Sequence, residues 1–323
     1  MDAESAMEKI LVIKPSSLGD ILHALQVVET LRENRGRGNV EITWLVRDIF
    51  EPLLNVCATV DRTIVFERGK GLRGIWETGM RLRRERFDLV LDMQGLARSA
   101  FWALCARAPR KIGRGDGREG SRLCFRELAG APAAGFGNAH AVEILLQFLP
   151  KLGLPAEPRG KVEFPGAKLS DAIAERLAAT GTDEAPILLF PDSRRAEKEW
   201  KGFVALTPLL LERFPKTPVV WVGQSALRSD PAWDANPRFV NLMGKTRLAD
   251  VIALIARARR CVTNDSGPMH IAAAMGVPVL GLFGPTSPRL YGPFPLSRPG
   301  NRVLVAPDGD LAKLSPQTVL EAV

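Results

Sequence analysis

Short apolar runs alternate with longer, helix-like patterns along the first half of the chain. Continuous apolar runs, such as the one from Ile10 to Ile13, are typical of parallel strands that are covered on both faces. The strands predicted in this half are Lys9–Ile13, Val40–Val46, Arg62–Phe66 and Phe87–Asp92. Because a loop or a helical pattern follows each of them, the pattern predicts consecutive βα units.

The second half of the chain repeats this alternation. Its predicted strands are Pro186–Phe190, Pro218–Val222, Cys261–Thr263 and Val277–Phe283. Its predicted helices are Asp171–Ala179, Phe203–Phe214, Leu248–Ala258 and Met269–Met275. The stretch from Ser315 to Val323 is predicted as a last helix, since Ser315 followed by Pro316 is typical of a helix start.

A cluster of prolines and glycines between Leu154 and Lys168 predicts a linker between two domains. We place the domains at residues 1–160 and 161–323, each an α/β doubly wound fold, and leave open whether the last helix returns toward the first domain. In such folds ligands bind at the carboxyl ends of the strands, here expected in a cleft between the domains. The polar, acidic segment Met1–Ala6 is expected to precede the fold without a structural role.

The composition is that of a globular protein rather than a membrane-spanning or disulfide-stapled one. Of 323 residues, 46% are hydrophobic and 25% are charged. No secretory signal is apparent, and the most apolar stretch, Ile271–Gly284, is interrupted by Gly276 and Pro278. The four cysteines are scattered, which predicts buried free thiols rather than disulfides or a zinc site. We therefore expect a cytoplasmic protein.

The positive charge of the chain is concentrated in one region. Residues 61–126 contain 16 Lys or Arg against 8 Asp or Glu, and that surplus equals the net charge of +8 of the whole chain. Such a region attracts phosphates, carboxylates, nucleic acid or an anionic membrane. We interpret four arginines as solvated helix faces: Arg81, Arg83, Arg84 and Arg86. Four others lie among glycines and small residues, where binding and solvation are equally compatible with the pattern: Arg98, Arg114, Arg118 and Arg122.

The strongest chemical motif spans residues 261–286. A predicted strand ends at Asp265-Ser266-Gly267, and Pro268 then begins a helix. Free amide groups at a helix start bind phosphate, and a glycine there leaves room for an anion. His270 follows within the first turn. A simple helix cap would explain Asp265 or Ser266 alone, but the combination with Gly267 and His270 favours a phosphate site.

A second motif, residues 190–200, also lies between a strand and a helix. Lys198 is a candidate to neutralise a diphosphate, and Ser193 is a candidate phosphate donor. By itself the motif is better explained as a solvated turn in which Trp200 anchors the packing.

A third motif, Lys14-Pro-Ser-Ser-Leu-Gly-Asp20, follows the first strand. It lacks the glycine pattern of a dinucleotide site. Asp20 is predicted in the first turn of a helix, where a carboxylate either acts as a general base on a hydroxyl or only favours the positive end of the helix. The sequence leaves both roles open.

Taken together, the motifs resemble those of glycosyltransferase family 9, the lipopolysaccharide heptosyltransferases. The resemblance extends over nearly the whole chain from Met7. The matching segments are residues 13–20, 92–100, His140 with Glu143, 193–200, 241–248 and 265–270 with the Phe-Gly-Pro-Thr ending at 283–286.

The resemblance implies a GT-B architecture in which the C-terminal domain binds an ADP-activated heptose. It also implies inversion at the anomeric carbon without a metal or another cofactor. Asp20 would be the general base, and Lys198 would hold the leaving diphosphate. The other donor-site positions implied by the resemblance are Ser193, Asp265, Ser266, Gly267 and His270, with Met243 and Gly244 against the adenosine.

The acceptor implied by the resemblance is the Kdo region of lipid A, an anionic lipopolysaccharide. Arg98 is the first candidate for an acceptor contact, and the other acceptor positions are Ser16, Ser17, Gln94 and His140. Such an acceptor implies peripheral contact with the inner face of the cytoplasmic membrane. No helix-turn-helix, zinc-finger or interleaved aromatic pattern accompanies the basic region, so a nucleic-acid partner is not predicted.

Two positions depart from the family pattern and leave the transferred sugar open. Lys201 occupies a position where relatives often carry proline, and Arg194 one where a small hydroxyl residue is common. We favour a heptosyltransferase of the first type. The alternatives are the second type, transfer of another sugar, and a nucleotide-sugar binding protein without turnover.

Overall fold

The computed structural model describes residues 7–225, 227 and 229–323, so the predicted leader Met1–Ala6 lies outside the described residues. The chain divides into two compact units, the first ending at Gly166 and the second comprising Ala167–Val323. This division falls within the Pro/Gly-rich stretch, and the whole basic region 61–126 belongs to the first unit. Each unit contains one parallel sheet with helices, as predicted for an α/β fold.

The first unit is built on a six-stranded parallel sheet. Its strands are β1 (Glu8–Ile13), β2 (Val40–Arg47), β3 (Arg62–Phe66), β4 (Leu89–Asp92), β5 (Arg110–Gly113) and β6 (Glu127–Leu128). Its helices are α1 (Leu18–Arg35), α2 (Glu51–Leu54), α3 (Gly71–Leu82), α4 (Ala97–Cys105), α5 (Ala141–Leu146) and α6 (Phe148–Lys151). The strand order is β3-β2-β1-β4-β5-β6, so the chain works outward from β1 in one direction and then from β4 in the other.

The second unit repeats this plan. Its strands are β7 (Ile187–Phe190), β8 (Val219–Trp221), β9 (Phe239–Asn241), β10 (Arg260–Asn264), β11 (Val279–Phe283) and β12 (Asn301–Val305). Its helices are α7 (Asp171–Ala178), α8 (Phe203–Arg213), α9 (Pro231–Asp234), α10 (Leu248–Arg257), α11 (Gly267–Met275), α12 (Pro288–Tyr291) and α13 (Pro316–Ala322). The order β12-β11-β10-β7-β8-β9 reverses between β7 and β10.

The central strands are buried on both faces, which explains their continuous apolar sequences. Every residue of β4, β7 and β11 is buried. In the second unit, Trp221, Trp233 and Phe239 pack edge to face in the core. Val319 of α13 belongs to this same core, and α13 packs against α8 and β12. The last helix is thus part of the core of the second unit.

All eight predicted strands are present, with ends that shift by one or two residues. Four strands were not predicted, namely β5, β6, β9 and β12. All four lie at or next to a sheet edge and have short or polar sequences, such as Arg110–Gly113 in β5 and Glu127–Leu128 in β6. Strands in such positions need no apolar side chains on both faces.

The cysteines differ in part from the prediction of four buried thiols. Cys57 and Cys261 are buried, whereas Cys105 and Cys124 are only half-buried. Burial raises the pKa of the Cys57 thiol to about 11, which keeps it protonated and unreactive. Within the described residues, no helix is long and apolar enough to cross a membrane.

Candidate active site

Each sheet has a point at which the strand order reverses, between β1 and β4 in the first unit and between β7 and β10 in the second. The connections that leave two such neighbouring strands run to opposite faces of the sheet, which opens a crevice at their carboxyl ends. The loops after these four strands contain most of the predicted site residues. Each unit therefore has its own candidate site at the carboxyl edge of its sheet.

In the first unit, Asp20 is held at the start of α1 by three neighbouring groups. Its Oδ2 atom accepts hydrogen bonds from the Ser17 backbone N–H at 3.0 Å and the Ser17 hydroxyl at 2.7 Å. Its Oδ1 atom lies 3.7 Å from Nζ of Lys14. The Lys14 side chain is only 2% exposed, while that of Asp20 is 45% exposed. Asp20 thus caps the helix through one oxygen and still presents carboxylate surface to solvent.

The surroundings of Asp20 favour its ionised form. Burial by itself raises the pKa of this carboxyl, but the Lys14 ammonium and the hydrogen bonds from Ser17 outweigh burial, so the pKa lies below 3.8. Burial lowers the pKa of Lys14, and the charge of Asp20 opposes that effect. The two predicted roles of Asp20, helix cap and available base, are therefore compatible in one geometry.

A second carboxylate, Asp92, lies at the same edge of the sheet and was not predicted as a site residue. Strand register pairs Asp92 at the end of β4 with Ile13 at the end of β1. Its buried carboxylate accepts hydrogen bonds from the backbone N–H groups of Gln94 and Gly95 at 3.0 and 3.2 Å, and from the Ser99 hydroxyl at 2.9 Å. Burial outweighs these bonds and raises the pKa of Asp92 to about 6.

Arg98, the first candidate for an acceptor contact, lies on α4 above two aromatic rings. Its guanidinium carbon is 5.3 Å from the ring centre of Phe66 and 5.6 Å from that of Trp102. Burial lowers the pKa of Arg98, and the nearby charges of Arg68 and Arg47 add to this effect. Stacking holds the cation in place while leaving its N–H donors free for an anion, which is how a carboxylate or phosphate is bound.

Gln94, Ser16 and Ser17 lie close to the carboxyl ends of β4 and β1, as predicted for acceptor positions. All three side chains are half-buried. The buried Oε1 atom of Gln94 has no hydrogen-bond partner among the described residues. It is therefore available to accept a hydrogen bond from a bound hydroxyl.

His140 has a clear structural role that the sequence analysis did not identify. Its imidazole is buried, and Nδ1 accepts a hydrogen bond from the Val142 N–H at 3.1 Å at the start of α5. The Glu143 carboxylate in turn accepts from the His140 N–H at 2.7 Å. The ring also packs edge to face on His23. His140 thus fixes α5 against α1, and its acceptor contact remains a prediction.

The other arginines of the basic region differ in how they are held. Arg114 follows β5 and forms a two-pronged ion pair with Asp116, with N···O distances of 2.8 and 2.6 Å. Arg118 and Arg122 are exposed, as are Arg81, Arg83, Arg84 and Arg86. The latter four are solvated as predicted, but only Arg81 lies on a helix, because α3 ends at Leu82 and the other three follow it. Of the four binding candidates, Arg98 and Arg114 have fixed positions.

In the second unit, Lys198 and Asp265 meet at the carboxyl ends of β7 and β10. Nζ of Lys198 lies 2.5 Å from Oδ2 of Asp265, and the two side chains are 15% and 6% exposed. The Thr286 hydroxyl donates to the same oxygen at 2.8 Å. The ring of Tyr291 on α12 lies with its centre 5.9 Å from the Lys198 ammonium. Loops after three strands thus form one polar cluster around a single cation.

Asn264 holds the loops of this cluster together. It is fully buried at the end of β10, where its Oδ1 atom accepts from the Trp200 N–H at 3.0 Å and its Nδ2 donates to the Pro191 carbonyl at 2.7 Å. These bonds tie both ends of the loop that carries Lys198 to β10. Trp200 is buried and donates from its indole N–H to the Leu314 carbonyl at 2.9 Å, so it anchors the packing as proposed.

The helix that begins beside Asp265 is α11, which starts at Gly267, one residue before the predicted Pro268. Ser266 is its N-cap residue, and the hydroxyls of Ser266 and Thr263 lie 3.2 Å apart. Ser266 accepts no helix amide through its side chain. Gly267 and His270 lie in the first turn, both half-buried. The amides at this helix start are thus positioned as in an anion site.

The remaining donor positions surround the ends of β7, β8 and β9. Asp192 accepts hydrogen bonds from the backbone N–H groups of Gln224 and Ser225, which links the loops after β7 and β8. Ser193 adjoins Asp192 and is half-buried. Met243 is mostly buried in the core, whereas Gly244 is exposed and adopts a φ of +69°, a conformation that favours glycine.

The raised pKa of Asp92 predicts a pH-dependent stability that the substitution Asp92→Asn should remove. A pKa raised from 3.8 to about 6 means that the folded state holds the proton over this range while the unfolded state loses it. The contribution of Asp92 to the stability of the parent therefore falls as the pH rises, by on the order of 2–3 kcal/mol between about pH 4 and pH 7. Unfolding measured at several pH values should show the variant gaining stability relative to the parent over this range; a difference independent of pH would contradict the assignment.

Comparison with known proteins extends over most of the chain. The model of glycosyltransferase family 9 (heptosyltransferase) matches residues 75–321. Lipopolysaccharide heptosyltransferase 1 of Pseudomonas aeruginosa is 28% identical over 306 residues, which cover 88% of this chain and 81% of that protein. Lipooligosaccharide heptosyltransferase 2 of Haemophilus ducreyi is 28% identical over 333 residues, with coverage of 95% and 91%.

The solved structure of the Escherichia coli heptosyltransferase WaaC with ADP has a TM-score of 0.78 to this chain at 22% identity, covering 97% of this chain and 98% of that one. This similarity confirms the predicted fold, two doubly wound domains of the GT-B type. The family model matches well over half of the chain and includes the Lys198–Asp265 cluster. The chain therefore belongs to glycosyltransferase family 9 (heptosyltransferase), and it is a glycosyltransferase.

Proposed function

We propose that this enzyme transfers a heptose from ADP-heptose to the Kdo region of the lipopolysaccharide inner core, with inversion and without a metal. The observation that carries the proposal is that the first unit has an available carboxylate at Asp20 and the second unit has a held cation at Lys198. Nucleotide-sugar transfer needs a base for the incoming hydroxyl and a positive group for the departing diphosphate.

The second unit is the donor side of the proposal. The Lys198 ammonium neutralises charge as the bond between the anomeric carbon and the β-phosphate oxygen breaks and ADP leaves with the electron pair. The amides at the start of α11, with Ser266 and His270, bind the diphosphate oxygens. The Ser193 hydroxyl donates to a phosphate, and Met243 and Gly244 contact the nucleoside. Asp265 holds Lys198 in place before the donor binds, because its Oδ2 atom is already 2.5 Å from Nζ.

The first unit is the acceptor side. An acceptor hydroxyl attacks the anomeric carbon from the face opposite the departing ADP, and its proton passes to the Asp20 carboxylate. The lowered pKa of Asp20 makes it a weak base, but it keeps the group ionised. A weak base is sufficient when the proton leaves late, because the attacking oxygen becomes strongly acidic once its new bond to carbon has begun to form.

The basic character of the first unit fits an acceptor that carries carboxylates and phosphates. Arg98 is held over Phe66 and Trp102 with its donors available, and Gln94 has a free acceptor atom. Arg98 and Gln94, with Ser16, Ser17 and His140, are the acceptor-binding positions in this proposal. The enzyme acts in the cytoplasm at the inner face of the membrane, where such a lipid-linked acceptor is accessible.

The two types of heptosyltransferase differ in their acceptor: the first adds heptose to Kdo, and the second extends an acceptor that already carries the first heptose. Relatives named heptosyltransferase 1 and heptosyltransferase 2 are both 28% identical to this chain, so identity does not separate the types. We favour the first type, which adds heptose directly to Kdo.

A transfer assay tests the proposal directly. Purified enzyme is given ADP-heptose with Kdo–lipid A in the presence of EDTA, and the product is measured by mass spectrometry. Addition of one heptose is expected. A parallel acceptor that already carries the first heptose distinguishes the types, since extension of that acceptor alone would identify the second type. Absence of product with both acceptors, despite tight ADP binding, would exclude heptose transfer to this core.

Substitution Asp20→Asn is expected to abolish transfer while leaving ADP affinity unchanged. Asparagine keeps an oxygen for Ser17 but accepts no proton, so the rate should fall by about 10²- to 10⁴-fold, the usual contribution of a general base. Asp48→Asn is the matched control, because that carboxylate lies in the same unit and is 46% exposed, close to the 45% of Asp20. If the Asp20→Asn enzyme turns over normally, Asp20 serves only as a helix cap.

Substitution Lys198→Met should weaken ADP binding by about 10- to 100-fold, because it removes the cation and leaves the carboxylate of Asp265 buried without its partner. AMP, which lacks the second phosphate, should lose less affinity than ADP. Calorimetric titration measures the affinity of the enzyme for each nucleotide. Lys201→Met is the control, since the Lys201 side chain is 77% exposed and, among the residues that the structure describes, pairs only with Glu199. Equal losses for AMP and ADP would contradict a role at the diphosphate.

A further inference from the structure

Helices α3 and α4 of the first unit expose large apolar side chains to solvent. On α3, Leu72 is 84% and Trp76 is 61% exposed. On α4, Phe101 and Leu104 are 39% and 53% exposed. Single exposed apolar residues are common, but a contiguous group of them indicates an interaction site. We call these four residues the α3–α4 apolar surface.

The four side chains belong to one surface because the two helices pack closely. Leu72, Trp76 and Gly79 follow one another along a single stripe of α3, at helical spacing. A Cβ atom on Gly79 would lie 2.9 Å from the ring of Phe101, so this ring crosses the stripe at that glycine. The Trp102 indole N–H donates to the Ile75 carbonyl at 3.0 Å and fixes the helices to each other.

A fifth apolar side chain extends this surface. The 3₁₀ turn Ser121–Cys124 packs against α4, and its Leu123 is 92% exposed. Leu123 stands between two exposed arginines, Arg122 and Arg126. It is therefore an exposed apolar tip with an arginine on each side of it in the chain.

Positive charge also surrounds the α3–α4 apolar surface. Nζ of Lys111 donates to the carbonyls of Leu104 and Ala106 at 3.2 and 2.7 Å, so its charge lies at the end of α4. Arg83 continues the stripe of Leu72 and Trp76. Burial raises the pKa of the Cys105 thiol, and the charges of Arg83 and Lys111 oppose that rise, which locates both cations beside α4.

Of the acidic residues nearby, Glu119 accepts a hydrogen bond from the Ala97 N–H at the start of α4, and two others are already paired with basic residues. Glu77 on α3 is paired with Arg73 at 2.6 Å and with Lys70 at 3.6 Å. Glu85 is paired with Arg62 at 3.0 Å. Within the described part of the chain, Arg83, Arg122 and Arg126 form no ion pair. The rim of the surface therefore carries unneutralised arginines.

We infer that the α3–α4 apolar surface, with Leu123, docks this chain onto an anionic lipid bilayer. Leu72, Trp76, Phe101, Leu104 and Leu123 enter the interfacial region, and the surrounding arginines contact lipid phosphates. Tryptophan beside basic residues is typical of side chains at a membrane interface. The apolar groups come from two helices and a turn, and the unpaired arginines beside them complement the charge of an anionic lipid surface.

The inference rests on the proposed function in one respect, because a lipid-linked acceptor gives the enzyme a bilayer to dock on. Docking itself is measured without donor or acceptor. Its failure therefore leaves the transfer assay unaffected, and a failed transfer assay leaves the vesicle result unaffected.

Trp76 provides an internal reporter for the experiment. The other five tryptophans are buried, with exposures of 9% or less: Trp44, Trp102, Trp200, Trp221 and Trp233. The full chain is mixed with vesicles of phosphatidylglycerol or of phosphatidylcholine, and binding is followed by co-sedimentation. With phosphatidylglycerol, we expect binding that weakens with salt, a blue shift of the emission and protection from iodide quenching. Trp76→Phe should still bind but lose the shift.

Matched variants separate the apolar and the charged contributions. Leu123→Asp is compared with Leu296→Asp, an exposed leucine of the second unit. The double variant Arg83→Glu/Arg122→Glu is compared with Lys216→Glu, an exposed lysine of the second unit. The variants in the first unit should bind about tenfold more weakly or worse, and the two controls should bind like the parent.

Several results would overturn the inference. These are absence of binding to phosphatidylglycerol vesicles, binding during which Trp76 stays accessible to iodide, and equal losses in the controls. Protection of Trp76 that rises with protein concentration in the absence of lipid would also overturn it, because the surface would then join two copies of the chain.

Discussion

The reversal of strand order between β1 and β4, and again between β7 and β10, is the constraint on which the chemistry of this enzyme depends. Wherever neighbouring parallel strands continue to the same face, helices and loops can cover the carboxyl ends. At a reversal the two connections part, and the ends of the strands stay open to a ligand. The buried charges Lys14 and Asp92 lie at one reversal, and Lys198 and Asp265 at the other.

Burying these charges costs free energy, and each unit offsets that cost in its own way. In the first unit, one buried lysine lies beside Asp20, and the pKa of Asp20 is lowered while that of Asp92 is raised to about 6. The pKa values of two carboxyl groups at the same edge thus move in opposite directions, because Asp92 is more deeply buried than Asp20, although the Lys14 charge lowers the pKa of both. In the second unit, Asp265 and Lys198 compensate each other directly.

Much of this architecture could be predicted from the sequence, because continuous apolar runs identify strands buried on both faces. Lys198, Asp265 and Asp20 could be predicted because they lie in the segments that connect such strands to the next helix or in its first turn. The hydrogen-bonding partners that hold these side chains in place could not be predicted. Asn264 donates a hydrogen bond to the Pro191 carbonyl, and Thr286 donates one to Asp265, and in each pair the two residues are far apart in the sequence. His140 matched a family motif, but only the packing of α5 on α1 reveals it as a buried helix cap.

The distribution of charge between the units follows from the two kinds of ligand proposed. A nucleoside diphosphate is small, so a single lysine beside a helix start can neutralise it, and the second unit needs no surplus of basic residues. A lipid-linked acceptor carries several separated anions and lies in a surface that is itself anionic. Such a partner requires basic residues spread over a wide area, and the surplus in residues 61–126 has this form. Arg98, stacked and half-buried, suits the recognition of one anion, whereas Arg83 and Arg122, exposed and unpaired within the described residues, suit a diffuse surface. The basic residues of this region thus have two roles in the proposal. A half-buried guanidinium group binds a single anion, whereas exposed guanidinium groups attract an extended anionic surface.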